Sequence, residues 1–206
     1  LLADYENFTR FGSITPFLQI GGDASAKEGW RIAVSMIYGF TKDREKAWEI
    51  IEKLGLCSEQ ESKVQFTMAD RKINAVMSTS AGRLFDAVSA ILGIRRQSSF
   101  EGEASTALQF AAETFGRRLQ SDCIHEQAAE ADFECMLYRK QTTENLSVSD
   151  VSCILNTEAL VQQIVTAKLQ GIDSGALAYL FHRTLAEQIV AACKAAREDS
   201  GRAKVA

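Results

Sequence analysis

Most of the signatures by which an enzyme announces itself are missing from this sequence. It has no Walker A loop, no G-x-G-x-x-G and no G-x-S-x-G, which removes the sequence-level grounds for a P-loop nucleotidase, a dinucleotide-binding fold or an α/β-hydrolase. Histidine occurs only twice, at His125 and His182, and neither has another histidine or a cysteine at metal-motif spacing. His182 lies beside Phe181 in a helical pattern and reads as structural; His125 sits in a charged surface stretch. The five cysteines (Cys57, Cys123, Cys135, Cys153, Cys193) are scattered, odd in number and without a C-x-x-C pair. That pattern speaks for reduced, mostly buried thiols in a cytoplasmic protein and against a disulfide framework or a zinc site. No apolar run approaches the length of a membrane span, and the opening Leu1-Leu2-Ala3-Asp4-Tyr5-Glu6 lacks the basic start and apolar core of a signal peptide. With 23 basic and 27 acidic residues the net charge is −4, the wrong sign for nonspecific nucleic-acid binding.

What is present describes an ordinary globular chain, 46% hydrophobic and 24% charged over 206 residues, enough for one large domain or two small ones. It opens without methionine and closes on Gly201-Arg202-Ala203-Lys204-Val205-Ala206, a turn running into the start of a strand, so the expectation is a piece of a longer polypeptide. The only proline, Pro16, falls in a run from Phe11 to the Gly21-Gly22 pair that reads as extended chain or a short strand. Helices are expected over Ala26–Tyr38, started by Asp23 or Ser25 with Trp30, Ala33, Val34 and Ile37 inward, and over Lys42–Leu54, with Ala47, Trp48, Ile51 and Leu54 apolar. Both tryptophans read as core residues. One or two further helices are expected within 58–76, with Val64, Phe66, Met68, Ile73 and Val76 apolar. The polar loop Arg95–Glu103 carries Arg95-Arg96 as a solvated pair, and Ala104–Leu119 reads as a long helix. Alternation at Phe133, Cys135 and Leu137, answered by Leu146 and Val148, predicts a hairpin. Helices then follow from Glu158 to Leu169, capped by Asn156 or Thr157, and from Gly175 to Arg197, capped by Ser174.

One stretch stands out, Thr79-Ser80-Ala81-Gly82-Arg83-Leu84-Phe85-Asp86-Ala87-Val88-Ser89-Ala90-Ile91-Leu92-Gly93. Small polar residues and a glycine lead into an amphipathic helix with Leu84, Phe85, Val88, Ile91 and Leu92 as its stripe and Asp86 off that stripe, one turn in. Ser80 can cap it and Gly93 can stop it. Its start offers unpaired N–H groups and a dipole that favour an anion, although a capped core helix has the same pattern.

Together with Phe100-Glu101-Gly102-Glu103-Ala104, this stretch resembles the HypF carbamoyltransferase family of nickel–iron hydrogenase maturation, which shows Ser-Ala-Gly-Arg-Leu-Phe-Asp-Ala and then Tyr-Glu-Gly-Gln-Ala. Asp4–Arg10, the Gly21-Gly22-Asp23 turn, Glu28-Gly29-Trp30-Arg31 and Phe181–Ala186 agree with that family as well. The resemblance implies a mainly α chain with a small β component, part of a domain of the actin/sugar-kinase/chaperone-ATPase type, similar to the universal tRNA threonylcarbamoyladenosine synthase subunit. Residues 1–25 would connect from a missing N-terminal lobe, 26–131 would form a helical nucleotide-facing region, and 132–206 a hairpin plus helices of the second lobe, cut before its glycine-rich phosphate loop.

The same resemblance implies that ATP lies against Ser80, Gly82, Arg83, Asp86, Gly102 and Glu103. Asp86 would accept hydrogen bonds from the ribose hydroxyls, Gly102 would let the backbone approach, and Arg83 would compensate phosphate or pair with a nearby acid. The implied activity makes carbamoyl adenylate from carbamoyl phosphate and ATP, then passes the carbamoyl group to the C-terminal cysteine of HypE for cyanide-ligand synthesis. The family's His-His-x-x-His metal motif and its phosphate loops do not occur here, so a divalent metal would be held outside this segment, and the segment alone is expected not to turn over. Glu103 stands where the family has glutamine and Gly29 where it has proline. The alternatives on sequence are another threonylcarbamoyl-type transferase or sugar kinase of the same fold, or a non-catalytic helical interaction domain.

Overall fold

Short polar side chains start five of the helices among the described residues. In the computed structural model, which describes residues 1–4, 6–121 and 153–201, Asp43 accepts from the N–H groups of Glu45 and Lys46 to open α3 (Arg44–Lys53). Ser58 and Glu61 form a reciprocal capping box at the start of α4 (Glu59–Arg71). Ser80 caps α5 (Ala81–Ile91) and Asn156 caps α7 (Thr157–Leu169). The longest helix among the described residues, α8 (Ser174–Ser200), is capped by Asp173; Ser174, the expected cap, instead donates its hydroxyl to the Leu92 carbonyl. The expected hairpin around 132–148, His125 and the last five residues lie outside the described residues.

The helix expected over Ala26–Tyr38 is two helices, α1 (Ala24–Lys27) and α2 (Gly29–Thr41), broken at Glu28, whose φ of −107° and ψ of 76° leave the helical region. Neither Asp23 nor Ser25 caps α1 by its side chain; Ser25 is buried and donates to the Gly22 carbonyl. α2 is the axis of the core. Trp30, Ile32, Ala33, Val34 and Ile37 are buried along it, walled by α3, α4, α5 and α7, and burial of such side chains is the main favourable term in folding. Trp48 is half-buried against this core. α6 (Glu103–Ser121) packs along α8 and buries Leu108 and Ala112.

The β component among the described residues is three two-stranded pairs. β1 (Leu2–Ala3) and β2 (Phe8–Thr9) are antiparallel. β3 (Gly12–Ile14) runs parallel to β6 (Cys153–Leu155), with Gly12 opposite Cys153, and β4 (Phe17–Ile20) runs antiparallel to β5 (Ala75–Ser78). β5 corrects the helical reading of 58–76. The chain leaves α4 through Lys72 and Asn74 in left-handed conformations, φ 53° and 50°, and Ile73 and Val76 end up exposed, as does Val64 on α4. Ser35 ties the strand pair to α2 by donating to the Leu18 carbonyl.

Candidate functional site

Two later segments, the head of α5 and the loop before α6, meet at the end of α1. The Ala26 carbonyl accepts a hydrogen bond from Arg83 Nη1, 2.5 Å away, and the neighbouring Lys27 carbonyl accepts from the Ser98 N–H, 2.7 Å away. These are orphan carbonyls of a helix C-terminus, and guanidinium and amide donors satisfy them. α5 and the loop before α6 are thus pinned to one short helix. The loop is held a second time: Gln97 reaches Glu28, the Trp30 N–H donates to the Arg96 carbonyl, and Arg96 Cζ lies 5.2 Å from the centre of the Trp30 ring. Arg95 pairs with Glu103 and Arg96 with Glu61, so the two arginines are not a merely solvated pair.

At the head of α5, Ser80 Oγ accepts from the Arg83 N–H at 3.4 Å. The first-turn N–H groups of Ala81 and Gly82 have no acceptor among the described residues, the usual state of a helix start that can take an anion. Gly82 is exposed, and a Cβ built there would have only Ser80 Oγ within 4 Å, at 3.9 Å. Gly102 has φ +81°, a conformation glycine adopts without strain, and its carbonyl accepts from Thr106 N–H and Ser105 Oγ to open α6.

Asp86 is not off the buried face of its helix. It is 5% exposed, because α5 is enclosed on every side from Asp86 through Ile91. Gly29 packs directly on it: a Cβ at Gly29 would stand 2.7 Å from the Asp86 carbonyl oxygen and 3.1 Å from its Cβ. Arg83 Nη2 lies 3.1 Å from Asp86 Oδ2, yet it is not aligned as a hydrogen bond, and no other donor among the described residues reaches that oxygen. Burial pushes the Asp86 carboxyl up from the ordinary 3.8, and the Arg83 charge opposes this only in part.

Glu103 behaves in the opposite way. Its carboxylate accepts from the Ser99 N–H and hydroxyl, and these bonds hold it below the ordinary 4.5. Ser99→Ala should therefore move the Glu103 titration midpoint upward, toward 4.5, in a carboxyl-resolved NMR pH series. An unchanged midpoint would remove the Ser99 hydroxyl as a cause and leave the Ser99 backbone N–H, the larger one, in place.

His182 is structural: Nδ1 lies 2.7 Å from the Ala178 carbonyl and the ring meets Phe85 edge-on, with centroids 5.4 Å apart. Among the described residues no group of three or more His, Cys, Asp or Glu side chains could hold a metal ion, and no helix is long and apolar enough to cross a membrane. Sequence reasoning missed an apolar cavity of 540 Å³ between β4, α2 and α7, lined by Phe17, Leu18, Met36, Phe40 and Val161; none of the predicted site residues lines it.

Helices crowded on small strand pairs make this chain a mainly α fold with a small β component. The solved structure of full-length HypF in its phosphate- and nucleotide-bound form superposes on 97% of this chain and 22% of its own, with a TM-score of 0.71 at 20% identity. The structure of T. kodakarensis HypF superposes on 92% of this chain and 22% of its own, with a TM-score of 0.64 at 19% identity. All of residues 1–206 match the family described as carbamoyltransferase, Kae1-like domain, second subdomain, and the chain belongs to the HypF carbamoyltransferase family. It is 34% identical over 106 residues to the probable carbamoyltransferase HypF of Methanocaldococcus jannaschii, covering 52% of this chain and 14% of that protein. It is 36% identical over 125 residues to carbamoyltransferase HypF of Rhodobacter capsulatus, covering 60% and 16%. The chain thus spans about a seventh of these relatives.

Proposed function

We infer that the chain works as the nucleotide-facing part of an ATP-dependent carbamoyltransferase, within a polypeptide of the length its relatives have. The observation that carries this is that Arg83, from the Gly82–Asp86 stretch, and Ser98, two residues ahead of Phe100, bond to the two neighbouring carbonyls at the end of α1. Ser80 and Gly82 offer a helix start with free N–H groups to phosphate oxygens. Asp86 supplies the carboxylate for the ribose hydroxyls, Gly102 gives the backbone close access, and Arg83 and Glu103 flank them. The solved full-length HypF carried phosphate and nucleotide, which supports ATP as the ligand class. Beyond these 206 residues we place the divalent metal and the remaining phosphate contacts. The overall reaction is formation of carbamoyl adenylate from carbamoyl phosphate and ATP, followed by transfer to the C-terminal cysteine of HypE. In this reading the chain acts in the cytoplasm and does not turn over alone. Residues 1–25 lead in from another lobe, 26–131 face the nucleotide, and 132–206 belong to the second lobe.

Gly82→Leu in the full-length polypeptide tests the reading. The added side chain enters open space on an exposed helix turn and replaces a poor helix former, so thermal stability should hold or rise. ATP binding measured by calorimetry should be lost. Undiminished binding in a folded Gly82→Leu protein would show that no ligand lies against this helix start.

A further inference from the structure

The Asp86 carboxylate is closed off by Arg83. Gly29 packs on the backbone and Cβ of Asp86, and the Arg83 side chain, itself 20% exposed, spans from the Ala26 carbonyl to Asp86 Oδ2. One turn deeper, the Ser89 hydroxyl is also buried without a partner. A ribose can reach Asp86 only after the guanidinium leaves. The arrangement is poorly bonded for a closed one. Arg83 makes one hydrogen bond to a backbone carbonyl and one unaligned ion contact, and Asp86 Oδ2 has no true donor. Two vicinal hydroxyls can give the carboxylate aligned, charge-assisted hydrogen bonds in exchange.

We propose that Arg83 is a positioning residue that keeps Asp86 shut until a ribose bearing both hydroxyls replaces it, so that ligands without those hydroxyls are excluded. The idea rests on the nucleotide reading above. Without Arg83 the carboxylate is already open, and the ligand no longer has to break the pair. The ion pair therefore opposes binding, whereas an arginine serving as a phosphate clamp would favour it.

The test uses the full-length polypeptide, with ATP and 2′,3′-dideoxy-ATP titrated calorimetrically against the wild type, Arg83→Gln, Arg83→Lys and Asp86→Asn. Arg83→Gln is expected to bind ATP roughly tenfold more tightly than wild type, the effect of removing one such contact. Dideoxy-ATP should bind measurably to this variant and not to the wild type. Arg83→Lys, which cannot reach the Ala26 carbonyl and Asp86 together, should fall between them, and it serves if Arg83→Gln fails to fold. Equal or weaker ATP binding by folded Arg83 variants, with Asp86→Asn losing binding, overturns the closure while leaving the nucleotide site in place. Full ATP binding by Asp86→Asn overturns the site and the closure together.

Discussion

Asp86→Asn is expected to weaken ATP binding by on the order of a hundredfold and, in the same protein, to raise the melting temperature at neutral pH. The first effect follows from chemistry. A carboxylate accepting from two hydroxyls forms charge-assisted bonds worth about 1.5–3 kcal/mol each, and a tenfold change in affinity is about 1.4 kcal/mol. The second follows from burial. The carboxyl is raised from its ordinary 3.8 by desolvation, so the folded state binds its proton more tightly than the unfolded state does. Stability contributed by this group is therefore full below 3.8 and is lost as pH rises through the higher folded-state value; at pH 7 the charged group is a burden. Asparagine removes the charge and keeps the shape, while Arg83 retains its bond to the Ala26 carbonyl. A gain on the order of 1 kcal/mol is the usual size for relief of a functional compromise. Thermal unfolding at pH 7, set beside ATP titration, measures both. A lower melting temperature in Asp86→Asn would mean that the Arg83 pair outweighs the burial.

Trp30→Ala should cost about 3–5 kcal/mol, the range for emptying a large aromatic site, out of a total stability of about 5–15 kcal/mol. Trp30 is 1% exposed and among the largest fully buried side chains, so its removal leaves a cavity at the end of α2. It also removes the ring flanked by Arg31 and Arg96, whose Cζ atoms stand 4.7 and 5.2 Å from the ring centre. The loop that carries Phe100 and Gly102 would then keep only its Lys27, Glu28 and Trp30 backbone or side-chain bonds and its ion pairs. Trp30→Phe should cost clearly less. It keeps an aromatic face for the arginines and deletes an indole N–H that is buried with no acceptor among the described residues. Urea unfolding of the two variants decides it, and equal losses would show that the ring kept in Trp30→Phe contributes nothing at this site.

Much of the helical framework was legible because caps and stops are local. Ser80, Asn156, Gly55, Gly93 and Gly171 do what their residue types suggest, the glycines each with positive φ. The failures occur where the deciding partner is distant. Asp86 was read as off the apolar stripe because a single stripe presumes one buried face, and α5 is buried all round beyond its first turn. β6 was unreadable in three residues, Cys153–Leu155, whose partner strand begins at Gly12. β5 was hidden because Lys72 and Asn74 turn the chain without glycine or proline. At Glu28 the helix breaks so that Gly29 can lie against Asp86, a matter of packing that no local propensity encodes. The two motifs were legible as motifs; that Arg83 and Ser98 bond to neighbouring carbonyls of α1 required coordinates.

The pairing of Gly12–Ile14 with Cys153–Leu155 also sets a timetable for synthesis. Thr15 bonds to Thr157, 142 positions later, so a nascent chain leaves the ribosome with that first strand edge bare. At roughly 5–20 residues per second the wait is about 7–28 s. During that interval the strand is open to wrong partners, and chaperone attendance or translation speed, as much as the finished fold, governs how much protein arrives intact.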